Sequence, residues 1–412
     1  MKGIFKSMYS VFEKCFGFMY HPLVRFIRFN GYRAGDFPAY FLNYVLPYRN
    51  ASASDKRIFL DVTYLSKCER FAGICRVVSK IQGILPAVQN EYEVIPVIGK
   101  QYIGFYTLSE KKLIKPSSED IFYSAEVTQG IFDTNVSFFK SIQKNGTKIV
   151  FFLHDLIPVL FPEYNGSMKF YRFYEKYLKI LCSSDLVICN SKSVLDDFEK
   201  YISDRKLKVL PSQKRCFTHL GVDFSPDVHS EKTGKGGPLK FLMVSTVEVR
   251  KKYDQAVEAF ELLWQKNYDV SLSIVGKYGW RAEKARRLIE SSSEYGRRLM
   301  WYNTGISDAE LSALYNSCDA VIFASKTEGF GLALIEAAIY RKPLIIRDIP
   351  IFREVASDNA FYFSGDEPEC LAEAVENWIN LYQKKRHPLS DGIKYISWEQ
   401  CIRNMYGFIK SI

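Results

Sequence analysis

From Arg57 onward, short runs of β-branched and aromatic residues alternate with stretches whose apolar positions recur every three or four residues. That alternation predicts parallel strands covered by helices. In the first half the predicted strands are R-I-F-L-D-V (57–62), E-V-I-P-V-I (93–98), D-I-F-Y-S (120–124), K-I-V-F-F-L (148–153), D-L-V-I-C (185–189) and C-F-T-H-L (216–220). Helical spacing marks Tyr171 to Leu181 and Val194 to Tyr201. Residues 226–239 are polar and glycine-rich and read as a linker. The strand pattern then restarts with K-F-L-M-V-S (240–245), V-S-L-S-I-V-G (270–276), R-L-M-W-Y-N (298–303), D-A-V-I-F-A-S (319–325) and P-L-I-I-R (343–347).

Two helix starts are written in capping boxes, Ser307 with Glu310 and Ser397 with Gln400. The second opens a helix whose apolar face is Trp398, Cys401, Ile402, Met405, Phe408, Ile409 and Ile412. The expected fold is α/β, with two Rossmann-like doubly wound domains, residues 57–225 and 240–395, facing across a cleft. Residues 396–412 form a helix packed back on the body. In such sheets ligands bind beyond the C-terminal ends of the strands.

Residues 1–56 stand apart as an amphipathic, helical N-terminal segment. Ile4, Phe5, Met8, Tyr9, Phe12, Cys15, Phe16 and Met19 make one apolar face, with Lys2, Lys6, Lys14, Arg25 and Arg28 among or after them. Glu13 and Lys14 break the apolar stretch, which excludes a secretory signal. Such a face either lies in a membrane interface or packs on the body of the protein. The interfacial reading is favoured for residues 1–30.

At 412 residues the chain exceeds one ordinary core. A hydrophobic content of 47% excludes a disordered chain. The nine cysteines are scattered without a C-x-x-C pair, which suits free thiols and a cytoplasmic location. A formal charge of +10 fits phosphorylated substrates or an anionic membrane surface, and no nucleic-acid motif accompanies it.

The candidate chemistry gathers where strands meet loops. From Val321 to Ala337 an apolar strand enters a loop holding Glu328, Gly329 and Gly331, followed by a helix with Glu336. Open N–H groups at a helix start favour a diphosphate. Two carboxylates add acceptors for sugar hydroxyls. Arg250 and Lys251 follow the first strand of the second half, where adjacent cations could neutralise such a diphosphate. His154 ends an apolar strand and points toward the crevice, and Gly73 follows the first strand of the first half. No D-x-D pair occurs, so a divalent ion on the diphosphate is not expected.

These segments resemble the retaining family-4 glycosyltransferases of the GT-B fold. The matches in the second half are V-S-T-V-E-V-R-K-K-Y-D (244–254), L-S-I-V-G-K-Y-G-W (272–280), G-I-S-D-A-E-L-S-A-L-Y (305–315), S-K-T-E-G-F-G-L-A-L-I-E-A (325–337) and D-I-P-I-F-R-E-V (348–355). In the first half L-D-V-T (60–63), F-A-G-I-C-R-V-V (71–78), F-L-H-D-L-I-P (152–158) and L-G-V-D (220–223) match in order. Among that family, H-D-L-I-P and D-I-P-x-F-R-E-V look most like mannosyltransferases of bacterial surface-polysaccharide and O-antigen assembly.

The resemblance implies a role for each residue. Arg250 and Lys251 would hold the donor diphosphate, while Lys252 stands where the family more often has asparagine. Glu328 would contact the donor sugar near its reacting carbon, and Glu336 the ribose hydroxyls. Gly329, Phe330, Gly331 and Leu332 would complete the donor loop, and Ala333 stands where proline is common. His154 would act on the sugar as a hydrogen-bonding or electrostatic group, and is grouped with Glu328 as catalytic. The Gly73 loop would pass near the donor phosphate, with Arg76 either assisting or capping its helix.

Transfer would retain configuration without metal or cofactor. GDP-mannose is the preferred donor and a glycan or lipid-linked surface-polysaccharide intermediate the preferred acceptor. A UDP-sugar donor is the alternative. A dehydrogenase lacks its G-x-G-x-x-G turn here, and a non-catalytic scaffold would have lost the glutamates and cations that are present. The expected location is the cytoplasm, peripheral on the inner face of its membrane.

Overall fold

The computed structural model describes residues 56–68, 73–164, 167–223 and 237–412. The amphipathic segment and most of the expected linker lie outside the described residues.

The first domain runs β1 (Arg57–Asp61), α1 (Ile74–Val88), β2 (Glu93–Lys100), β3 (Gly104–Thr107), β4 (Ile121–Ser124), α2 (Val136–Lys144) and β5 (Lys148–Leu153). It continues through α3 (Ile157–Leu160), α4 (Met168–Cys182), β6 (Leu186–Cys189), α5 (Lys192–Asp204), β7 (Lys214–Phe217) and the short β8 (Gly221–Val222). The second domain begins with β9 (Leu239–Val244), α6 (Tyr253–Gln265), β10 (Val270–Val275), α7 (Glu283–Ser291), β11 (Leu299–Tyr302) and α8 (Asp308–Ser317). It closes with β12 (Ala320–Phe323), α9 (Leu332–Ile339), β13 (Leu344–Arg347), α10 (Pro350–Ala356), β14 (Phe361–Phe363) and α11 (Pro368–Gln383). Last come β15 (Ile396–Ser397) and α12 (Trp398–Ile409).

The first sheet has the order β3-β2-β1-β4-β5-β6-β7 and the second β11-β10-β9-β12-β13-β14. Winding reverses between β1 and β4, and again between β9 and β12, which opens a crevice at the strand ends of each sheet. Strands of the first sheet are parallel except β3, which runs antiparallel to β2. Central strands are buried on both faces, as β5 is from Ile149 to Leu153, and so read as unbroken apolar runs.

Differences from the expected strands fall at the sheet edges. β3 and β14 are only four and three residues long, too short for a two-residue period to register. β7 begins at Lys214, ahead of the expected 216–220 run, because an edge strand tolerates polar residues. Ser307 and Glu310 form the full capping box. At Ser397 only half of it forms, because the Gln400 amide turns to Asn404 at 2.9 Å. The free-thiol expectation also needs correction, since Cys68 and Cys75 are disulfide-bonded.

Apolar packing joins the two domains. One cluster fills the outer face of the first sheet under α2, α4 and α5, and a second lies under α6 and α11. The third runs from Ile58, Val77 and Tyr123 through Phe330 and Ile335 to Met405. Here α12 returns to the first domain, where β15 pairs with β8 and Tyr123 OH approaches Met405 Sδ at 3.4 Å.

Candidate active site

β9 ends in the centre of the second sheet, and the chain turns at once through Val249–Lys251. Lys252 takes a left-handed backbone (φ 56°) to start α6, which turns the two preceding cations inward. Arg250 Nη1 donates to Glu328 Oε2 at 2.9 Å and to the Thr327 carbonyl at 3.0 Å. Its Nε donates to Glu248 Oε2 at 3.1 Å. Lys251 Nζ bonds the other oxygen of Glu328. Both carboxylate oxygens are thus taken by the cations that sequence placed at the diphosphate.

Burial shapes the charge of this trio. It disfavours ionised Glu328, but Lys251 and Arg250 outweigh it and hold the carboxyl down to about 2. Burial also works against the Arg250 charge, and Glu328 and Glu248 raise its pKa nonetheless. For Lys251 burial prevails over Glu328, and its pKa falls. Behind the loop the buried Arg347 guanidinium donates to the Ala324 carbonyl at 2.8 Å and to Gly365 O at 2.6 Å, bracing the end of β12.

The opposing wall is the loop after β5. His154 is buried, and its Nε2 sits 2.7 Å from the Ala125 carbonyl. A carbonyl only accepts, so Nε2 carries the proton and Nδ1 is the acceptor of a neutral ring. Burial lowers its pKa to about 4. Asn190 Nδ2 holds the His154 carbonyl at 2.7 Å, while buried Asn190 Oδ1 meets no hydrogen-bond partner. Burial raises the pKa of neighbouring Asp155, partly opposed by Arg250 from the other domain.

The two walls touch. A Cβ on Gly329 would collide with the His154 carbonyl oxygen and come within 3.1 Å of Asn190 Nδ2. Ser191 Oγ donates to the Gly329 carbonyl at 2.9 Å. Gly329 therefore allows a close approach, as glycine does, but of the other domain's backbone. Gly331 adopts a left-handed backbone (φ 89°) as the residue before α9. Phe330 is buried against His219, their rings 5.3 Å apart, and Leu332 is partly buried.

Glu336 and Gly73 meet the same seam. Gly73 (φ 53°) precedes α1, with open space where a side chain would go. From the first turn of that helix Arg76 Nη1 donates to Glu336 Oε1 at 2.6 Å, and Nη2 to Asp223 Oδ2 at 3.2 Å. Lys80 also binds Asp223, at 2.6 Å. Arg76 thus makes an interdomain ion pair, which neither expectation for it named.

Several polar residues that sequence reasoning passed over sit at this interface. Glu354 of α10 accepts from the backbone N–H groups of Lys192 and Ser193, both at 2.7 Å, and from His219 Nε2 at 2.8 Å. Under the crevice floor, fully buried Asp61 accepts from Thr63 and from Ser124 Oγ, and Glu126 accepts from the Leu65 amide at 2.8 Å. Burial raises both pKa values, to about 6 for Asp61 and about 8 for Glu126, where the Asp61 charge adds to the effect. The only sequence signal was the placement of Glu354 inside D-I-P-I-F-R-E-V and of Asp61 inside L-D-V-T.

Comparison with known proteins fits this arrangement. Residues 226–394 match the glycosyl transferases group 1 family. They form a group 1 glycosyl transferase domain. Residues 129–207 match the glucosyltransferase 3-like N-terminal domain. The chain is 33% identical over 370 residues to the serotype-specific mannosyltransferase WbdA of Escherichia coli, covering 84% of the chain and 44% of WbdA. It therefore spans less than half the length of that relative. Sucrose-phosphate synthase from Thermosynechococcus elongatus superposes with a TM-score of 0.63 at 15% identity, over 87% of this chain and 99% of that one. Anabaena HepE, solved with UDP and glucose, gives 0.58 at 16% identity, over 86% and 100%. The fold is GT-B, as the sequence implied. No helix among the described residues is long and apolar enough to cross a membrane.

Proposed function

We propose that this chain is a metal-independent retaining glycosyltransferase that moves mannose from GDP-mannose to a lipid-linked or surface-polysaccharide acceptor. The observation that carries the proposal is the half-buried, mutually ion-paired trio of Arg250, Lys251 and Glu328 at the winding reversal of the second sheet, facing the His154 loop. A donor diphosphate beside this trio would share its two cations with Glu328. Leaving-group charge would then develop against groups already fixed and shielded from water, where electrostatic stabilisation is large. His154 is neutral at physiological pH, so it offers Nδ1 to a sugar hydroxyl and does not act as a charged acid. Glu336 would exchange Arg76 for the ribose hydroxyls. The departing diphosphate would take the acceptor proton on the face of attack.

Similarity to WbdA supports mannose as the sugar. A UDP-sugar donor is the second reading, supported by the match of residues 129–207 to a glucosyltransferase 3-like domain and by the likeness to HepE. Thermal shift and slow hydrolysis across a panel of nucleotide sugars separate the two. Stabilisation by GDP and turnover of GDP-mannose are expected; stabilisation by UDP alone would sink the mannose assignment. The amphipathic, basic pattern of residues 1–30, read as a membrane contact, supports the lipid-linked acceptor. If the chain lacking those residues still floats with liposomes, that contact lies elsewhere.

A further inference from the structure

An α-helix leaves its first four N–H groups without intrahelical partners. In α5 the third of these, on Val194, is taken by the Ser191 hydroxyl at 3.1 Å. The first two, on Lys192 and Ser193, point across the cleft to Glu354 of the second domain. One carboxylate oxygen also accepts from Ser193 Oγ at 2.6 Å and the other from His219. Ser191 itself reaches the second domain through the Gly329 carbonyl. Two independent elements of the donor domain thus rest on one helix start of the opposite domain. One of them is the loop that carries Glu328.

We propose that Glu354 is a positioning residue, an interdomain helix cap that latches the domains in the arrangement that sets Glu328 opposite His154. The chemistry suits a reversible contact. A carboxylate at a helix N-terminus gains from the macrodipole and from charge-assisted bonds. When the domains part, water can satisfy the same carboxylate and the same two amides. The latch therefore biases closure without locking it, and burial does not neutralise it. Its carboxyl is half-buried, which works against the charge, yet His219, Ser193 and the two amides hold it ionised, at about 2. Donor affinity is reduced in proportion to any loss of the binding-competent population, so weakening the latch should appear mainly in donor KM.

This inference rests on the proposed donor site, and the test separates the two. Hydrogen exchange at the Lys192 and Ser193 amides of the full chain, compared between the parent and Glu354→Gln, reads the latch without any substrate. At least tenfold faster exchange at those two amides, with Val194 less affected, is expected. GDP-mannose hydrolysis by the same variant should show KM raised about tenfold and kcat within threefold of the parent. Ser193→Ala, which removes one hydroxyl and keeps both amides, should give a smaller rise in KM and guards against a folding defect in the first variant. Unchanged exchange overturns the latch. Faster exchange with unchanged KM overturns its positioning role. A parent that turns over no GDP-mannose overturns the donor assignment, while exchange still decides the latch.

Discussion

Gly329 and His154 stand on different domains and in backbone contact, so close that one methyl group on Gly329 would strike the His154 carbonyl. The site is built at a seam that has no room for a side chain. Replacing Gly329 by alanine should force the domains apart, because the obstructing atom is backbone and cannot swing away. The expected result is a fall in kcat/KM of at least 100-fold. Small-angle scattering should show a larger radius of gyration, with the circular dichroism of each domain retained. An alanine variant with parental activity would show that closure of this seam is not needed.

Glu328 is the common partner of two half-buried cations. Its replacement by alanine should abolish transfer and also leave Arg250 and Lys251 unpaired. Breaking a fully buried ion pair typically costs about 3–5 kcal/mol, and a half-buried one costs less. Urea denaturation should therefore place Glu328→Ala well below the parent, with Glu328→Gln between them. An active alanine variant would overturn the site assignment.

Arg76 and Glu336 meet across the seam with a quarter of each side chain exposed. Pairs of that kind contribute about 1 kcal/mol or less to stability. Arg76→Ala should therefore shift the melting temperature little. Glu336→Ala, by contrast, should weaken nucleotide binding about tenfold if it takes the ribose hydroxyls. Isothermal titration with GDP checks both, and equal losses in the two variants would mean that the ion pair, not the ribose contact, matters.

Acid and alkaline arms of stability come from different domains. Glu126 has its folded pKa raised to about 8, so between the ordinary carboxyl range and that value only the folded state holds its proton. Its contribution is then present at low pH and is lost as pH rises through 8, at up to about 1.4 kcal/mol per pH unit. Asp61, at about 6, acts in the same sense. Glu328 and Glu354 are both held down to about 2, so their contribution is present above the ordinary range and lost as pH falls through 2. Glu126→Gln, which mimics the protonated acid, should flatten the loss of stability between pH 6 and 8 in urea titrations. An unchanged slope there would remove Glu126 as its source.

Much of this molecule was legible in its residues. Buried strands such as Lys148 to Leu153 and Val321 to Phe323 announce themselves because both faces are covered and the run is continuously apolar. Arg250 and Lys251 are expected from sequence at a diphosphate beside the strand, loop and helix from Val321 to Ala337, and the structure pairs both cations with Glu328 of that loop. What the sequence determined, then, was the content of each wall: two doubly wound sheets and the charged groups at their strand ends.

Tertiary structure alone decided how the walls face each other. Gly329 meets His154, Glu354 caps α5 and Arg76 holds Glu336 over separations of 175, 162 and 260 positions, none of which shares a periodic signal. A capping carboxylate within its own helix lies three residues away and can be read, as at Ser307 and Glu310. One supplied by another domain cannot, because its partner is fixed by the docking of two rigid bodies. That docking turned Glu354 from an ordinary helix residue into the clasp of the cleft.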